Sequence, residues 1–336
     1  MSLKSSSIGY WASQEQYSMK RLINHVVEAE KAGFTTTMTS DHFHPWQHTA
    51  SYGNFTWIWI AAAAERTKKM KFITGVTSPI YRYHPAIIAQ AFASLDILYP
   101  GRVGLGLGSG EAINEIPLGF EWPSAKIRLE KTTEAIQIIK DLWYKPIDND
   151  NNGFANFYGI YFTIRNAKLY SLPSSKIPLF MAASGKKSAS IAAKYCDGLI
   201  TIEKLDKAKE LLEFFNESAK AEEKDPFCLE KIVELKISYS EDYDKALKTA
   251  QFWKPTLLNN IFNNKIGNPK ELEVISKQEV SDESLKQSIL ITTSLEDCIT
   301  KIEEYLKIGF TRIYIHSTSP NEIEFINAFS KTILSQ

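Results

Sequence analysis

The chain has 336 residues, enough for one large α/β barrel or for two smaller domains. Its composition, 44% hydrophobic and 23% charged, is that of a globular protein and excludes a disordered chain. Its 39 basic and 39 acidic residues cancel, so the basic excess usual in binders of nucleic acid or anionic membranes is absent.

Short apolar or β-branched runs alternate with longer helical patterns along the chain. Ile8–Tyr10 reads as a strand. Ser13 and Gln16 fit a capping box, and the helix from Tyr17 to Lys31 stops at Gly33. Thr35–Thr39 is a second strand, followed by the loop SDHFHPW. Trp57–Lys68 reads as a helix and Lys71–Val76 as a strand. Pro85 opens a helix that runs to Leu98. Arg102–Gly108 is a fourth strand and Arg128–Trp143 a helix.

The rhythm breaks over residues 145–177, where a polar turn, Asp148 to Gly153, sits between aromatic segments. An inserted β-hairpin is expected there. Strand Pro178–Ala182, helix Lys186–Tyr195 and strand Gly198–Ile202 resume the pattern. Helix Asp206–Ala221 and strand Ile232–Ser238 follow. Residues 250–287 are irregular and Asn/Lys-rich, which suggests a helical insertion covering a pocket. Strand Ser288–Thr292, a Ser294–Asp297 capping box, a helix to Lys307, strand Arg312–His316 and a helix opened by Ser319 and Pro320 complete the chain.

Repeated strand–helix units imply parallel strands with right-handed crossovers. A (β/α)8 barrel takes about 250 residues, leaving about 86 of 336 for the two insertions. The expected fold class is therefore α/β, a single TIM barrel spanning the whole chain; a doubly wound open sheet is its rival. The three cysteines have no disulfide or zinc spacing. The N-terminal run has no apolar core of a secretory signal, and WIWIAAAA is far too short to span a membrane. A soluble, cytoplasmic protein is expected, with no metal.

In a barrel the chemistry sits at the C-terminal ends of the strands. Three such segments stand out. DHFHPWQH, after the second strand, holds three of the six histidines. Its H-x-H-x3-H spacing lacks a supporting carboxylate or cysteine pattern, so a proton-transfer histidine beside a tryptophan wall is preferred to a metal site. GLGLGSGEAINE satisfies neither the dinucleotide fingerprint nor the P-loop. Its glycines allow something flat to approach the strand end. Glu111 is either an acid–base group or a helix-start acid favoured by the dipole. MAASGKKS is either an anion site at a helix start or an ordinary turn.

These residues together carry a resemblance. The runs IGYWASQEQY, SDHFHPWQH and RYHPAIIAQAFASLDILYPGRVGLGLGSGEAINEIPLGFEWPS look like the luciferase-like barrel superfamily. More narrowly, the chain resembles the dehydrogenases that use the 5-deazaflavin coenzyme F420. That resemblance implies a homodimer with a deazaflavin at the C-terminal mouth. It assigns Asp41, Ser78, Ser109, Gly110 and Asn114 to the ring and ribityl chain. Ala183, Ser184, Gly185, Lys187 and Ser188 go to the phosphate tail. A strand bulge with a cis peptide is implied at Gly75 and Val76, beside the cofactor. His42, Trp46 and Glu111 match the catalytic trio, and Glu15 matches an acid near that histidine. Trp46, Ile202 and Trp253 are the implied substrate wall.

Two subgroups compete, one oxidising glucose 6-phosphate and the other small secondary alcohols. Aligned through Asp197 and Gly198, the phosphate-holding threonine falls at Ile202 and the first lysine at Leu205. The second lysine falls near Asn263 and the arginine near Gln287, with Lys204, Lys265 and Lys286 close by. A phosphate facing apolar and neutral groups is costly, so a non-phosphorylated alcohol is the expected substrate and a sugar phosphate the alternative. An FMN-dependent monooxygenase is the more distant alternative, and a non-catalytic flavin binder the third.

Overall fold

The computed structural model describes residues 7–144 and 152–334. The elements in chain order are β1 (Ile8–Ala12), α1 (Met19–Lys31), β2 (Thr36–Thr39), α2 (Thr56–Arg66), β3 (Lys71–Thr74), α3 (Pro85–Leu98), β4 (Val103–Leu107), α4 (Ala112–Glu115) and α5 (Ala125–Tyr144). Then come β5 (Ala155–Tyr158), β6 (Thr163–Ala167), β7 (Leu179–Ala182), α6 (Lys186–Tyr195), β8 (Gly198–Thr201), α7 (Leu205–Ala221) and β9 (Glu230–Tyr239). The remainder is α8 (Tyr243–Ala250), α9 (Pro269–Glu279), α10 (Asp282–Lys286), β10 (Leu290–Thr292), α11 (Leu295–Lys307), β11 (Arg312–Ser317) and α12 (Glu322–Phe329).

Eight parallel strands close into a ring in the order β1, β2, β3, β4, β7, β8, β9, β11 and back to β1. This is a (β/α)8 barrel, not an open sheet. Side chains alternate along each strand. Trp11, Met38, Ile73, Phe180, Ile200, Ile232 and Tyr314 fill the barrel, while their neighbours pack outward against the helices. β5 and β6 pair antiparallel outside the ring. The first part of the Asp148–Gly153 turn, up to residue 151, lies outside the described residues.

Three details differ from the sequence reading. Ser13 is not a helix cap: its hydroxyl donates to Glu15 Oε2 at 2.8 Å, and α1 starts later, after Ser18. Ser294 does cap α11, but Asp297 takes the Thr292 hydroxyl instead of closing a box. The strand at Ser288–Thr292 is not a barrel stave. β10 pairs with Ile237–Tyr239 of β9, above the stretch of β9 that β8 occupies.

β3 and β4 approach closely. The register runs from Ile73↔Gly104 to Thr77↔Leu107, so β3 carries one extra residue, a bulge, and the Gly75–Val76 peptide within it is cis. A Cβ on Gly106 would lie 2.1 Å from the Thr74 carbonyl oxygen, and one on Gly108 would lie 2.4 Å from Val76 Cγ2. At Gly106 the group admitted is therefore the backbone of β3, and at Gly108 the Val76 side chain.

Behind β1, Glu322 of α12 is buried and accepts from Tyr10 OH at 2.8 Å and Tyr17 OH at 3.4 Å. Burial raises its carboxyl from 4.5 to about 7, against the lowering effect of these hydroxyls. A raised acid stabilises the fold fully below pH 4.5 and loses that contribution as pH rises through about 7. Glu322→Gln should flatten this pH dependence by about 2–3 kcal/mol, read as thermal unfolding between acid and neutral pH. An unchanged slope in the variant would contradict the assignment.

Candidate active site

The ends of β1, β2 and β4 meet at the mouth of the barrel. After β1 the chain turns through Ser13 to Glu15, which is buried. Glu15 Oε2 accepts from Ser13 Oγ at 2.8 Å and from Ser40 Oγ at 2.7 Å, fixing the carboxylate between the first two strand ends. His42 follows β2 and lies between two acids. Its Nε2 is 3.6 Å from Glu15 Oε1, and its Nδ1 is 3.4 Å from Glu111 Oε2. Neither contact is a hydrogen bond, and Nδ1 is buried with no hydrogen-bond partner. The Trp46 ring stands edge-on to the imidazole, with centroids 5.7 Å apart.

Glu111 occupies the N-cap position of α4 but makes no cap hydrogen bond with its side chain. Its Oε2 instead accepts from Asn114 Nδ2 at 2.9 Å, while Asn114 Oδ1 accepts from the Phe43 backbone N–H at 2.7 Å. Asn114 thus ties the β2 loop to the β4 loop and turns Glu111 toward His42. That arrangement favours the acid–base reading over a helix-start acid. Burial and the Glu15 charge raise the Glu111 carboxyl, with burial foremost, while His42, Arg82 and the Asn114 bond pull it down.

The neighbouring residues form one continuous floor. Asp41 is buried and accepts from Thr77 Oγ1 at 2.6 Å, and Arg82 Nη2 lies 3.3 Å from its Oδ1. Ser78 donates to buried Glu115 Oε1 at 2.9 Å. Gly110 adopts φ +80°, where a Cβ would also lie 2.6 Å from Ile80 Cδ1, so this turn accepts only glycine. Leu107 of β4 is in register with Met181 of β7, which brings Ser109 and Gly110 beside the loop that opens α6. There Ser184, Gly185 and Lys187 are exposed. The Ser188 hydroxyl receives the Ser184 and Gly185 N–H groups at 3.3 Å each. A Cβ on Gly185 would meet nothing within 4 Å. An open, positively polarised helix start therefore borders the same mouth.

The other histidines of the loop diverge from His42. His44 Nδ1 faces the Gly267 carbonyl at 3.1 Å, and His48 is exposed. No group of three or more His, Cys, Asp or Glu side chains is arranged to hold a metal among the described residues.

The luciferase-like monooxygenase family matches residues 4–312. An F420-dependent glucose-6-phosphate dehydrogenase of Amycolatopsis mediterranei strain U-32 is 35% identical, over 97% of both chains. One from Rhodococcus erythropolis is 34% identical over 97% of this chain and 96% of its own. A solved F420-dependent secondary alcohol dehydrogenase, in complex with an F420–acetone adduct, is 36% identical with a TM-score of 0.92. That match covers 100% of this chain and 99% of the other. The chain belongs to the luciferase-like monooxygenase family, within its F420-dependent dehydrogenases.

The mouth also carries a charged row between β9 and β11. Ile202 lies two residues beyond the inward-facing Ile200 and is 46% exposed. Trp253, in the segment after α8, is buried in one cluster with Trp46, Ile113, Leu258 and Ile261. It also stands edge-on to His316, with centroids 4.5 Å apart. His316, Glu234 and Lys236 are the residues that the sequence reading missed. Their signal is a period of two: in EKIVELKISY, Glu234 and Lys236 share the inward side with Ile232. His316 Nδ1 bonds Glu234 Oε1 at 2.6 Å. Burial pushes the Glu234 carboxyl up, but Lys236 and His316 outweigh it and hold it at about 2.

Proposed function

We propose that this protein oxidises a non-phosphorylated alcohol, with coenzyme F420 accepting the hydride. The observation that carries the proposal is His42 held between Glu15 and Glu111, walled by Trp46. A relative named for a sugar phosphate is 35% identical and one named for a secondary alcohol 36%, so identity does not choose between the substrates. It does favour F420 over FMN. Ile202 favours the alcohol: an isoleucine at that position offers a phosphate neither a hydrogen-bond donor nor a charge.

The site fits the cofactor. The open start of α6 with Lys187 suits a phosphate tail, and the floor from Asp41 through Ser78 to Ser109 and Gly110 suits a flat ring. Bound there, the deazaflavin supplies the hydride acceptor at its C5 carbon. The remaining work belongs to the chain. His42 accepts the hydroxyl proton as the carbinol hydrogen departs. Glu15, anchored by two serines, orients the imidazole from its Nε2 side. Trp46 closes one side and offers its indole N–H to the substrate oxygen. Glu111, with its raised carboxyl, would exchange a proton with the bound cofactor. Ala183, Gly75 and Val76 complete the cofactor wall, and Trp253 closes the substrate side.

Lys187→Ala should weaken deazaflavin binding about fivefold, read by tryptophan quenching, because one exposed charge–phosphate contact is worth about 1 kcal/mol. Identical titrations for variant and wild type would remove Lys187 from the site. We also read the exposed Ile58 of α2 with Ile87, Ile97 and Leu98 of α3 as the seam of a homodimer. Sedimentation at a single-chain mass would contradict that. The three cysteines are free, which suits a reducing cytoplasm.

A further inference from the structure

Lys236 and His316 are register partners on β9 and β11, and both face the barrel axis at its mouth. Glu234 Oε1 accepts from both His316 Nδ1 and Lys236 Nζ. His316 Nε2 meets the side-chain amide of Gln16 at 3.0 Å, and Gln16 directly follows Glu15. Trp11 stacks on the imidazole at 5.3 Å and 15°, and the Lys236 ammonium lies 5.1 Å over the Trp253 ring. Trp253 shares its cluster with Trp46, the wall of His42. The charged row therefore borders the space in which an alcohol would sit.

An ammonium carries three N–H donors. One goes to Glu234. The Lys236 side chain is 14% exposed, and Glu234 is its only hydrogen-bond partner among the described residues. A purely structural role explains this poorly. β9 and β11 are already joined along Arg312–Ser317, and an inward ion pair costs desolvation that apolar side chains would not. The charges also select the ligand. Lys236 and Glu234 cancel each other, and burial holds His316 below its ordinary pKa against the pull of Glu234. A further anion would have no free counter-charge there and would add to Glu15 and Glu111. A neutral hydroxyl oxygen needs only a donor.

We infer that Lys236, fixed by Glu234 and His316, anchors a second hydroxyl of the substrate, so that the enzyme selects polyhydroxylated alcohols over monohydric ones. This inference rests on the dehydrogenase reading above.

Glycerol and isopropanol make the test, because glycerol is isopropanol with a hydroxyl added on each flanking carbon. With deazaflavin-loaded enzyme, kcat/KM for glycerol should exceed that for isopropanol. Lys236→Met should lower that selectivity ratio about 10- to 100-fold, the worth of a charged hydrogen bond, and Lys236→Arg should restore part of it. Glycerol binding to cofactor-free protein, followed by tryptophan fluorescence, should weaken by a similar factor in Lys236→Met. If wild type shows no preference, or if Lys236→Met lowers both substrates equally and leaves glycerol binding intact, the anchor is wrong. If neither alcohol reduces the deazaflavin but glycerol binding still depends on Lys236, the dehydrogenase reading fails and the anchor stands.

Discussion

His42→Ala should lower kcat for alcohol oxidation by about 10²- to 10⁴-fold, the usual share of a positioned general base. The deazaflavin Kd should stay within about twofold, since the loss is confined to the proton-transfer step. The reason is geometric. His42 Nδ1 and Nε2 lie 3.4 and 3.6 Å from the two carboxylates, and the intervening ring is the only imidazole beside Trp46 among the described ring contacts. Glu15→Gln keeps acceptors for Ser13 and Ser40 but removes the charge behind Nε2. A smaller loss, about tenfold, is expected there. Stopped-flow reduction of the cofactor reads both. Wild-type turnover in His42→Ala would move the base elsewhere.

Gly106→Ala should destabilise the barrel on the order of 4 kcal/mol, enough to deplete soluble protein. The added methyl would sit 2.1 Å from the Thr74 carbonyl oxygen and 2.8 Å from Ile200 Cδ1. Strand separation cannot relax easily, because the Thr74 hydroxyl donates to Gly106 O at 3.0 Å and accepts from Gly106 N at 3.1 Å. Gly104→Ala is the control. Its nearest obstacle is Ile73 Cγ1 at 3.1 Å, a side chain that can yield, so a loss of about 1 kcal/mol is expected. Chemical denaturation of the two variants side by side measures the contrast. Equal midpoints would show that β3 is freer than its hydrogen bonds imply.

Much of the barrel is legible in the sequence where punctuation and periodicity agree. Helix α6 is read residue for residue, Lys186–Tyr195, because Gly185 opens it and Cys196 and Asp197 lead into a new strand. The start of α1 is misread because Ser13 has the spacing of a cap yet spends its hydroxyl on Glu15. The strand β10 is legible but its place outside the ring is not, because a strand's neighbours are not written in its own residues. The site divides the same way. Asp41, His42 and Trp46 lie in one short loop and announce themselves. His316 and Glu234 are 82 positions apart, and only closure of the ring brings them into contact. Asn114 is named in the sequence reading, but its observed bonds, to Glu111 and to the Phe43 backbone, require the β2 and β4 loops to meet.

Loss of F420 absorbance with purified protein and isopropanol, glycerol or glucose 6-phosphate decides whether a non-phosphorylated alcohol gives its hydride to a deazaflavin in this mouth. The free alcohols are expected to reduce the cofactor. Reduction by the sugar phosphate alone would overturn the substrate assignment and point to Lys204, Lys265 or Lys286 as phosphate ligands. Tight FMN binding with no response to F420 would contradict the account as a whole.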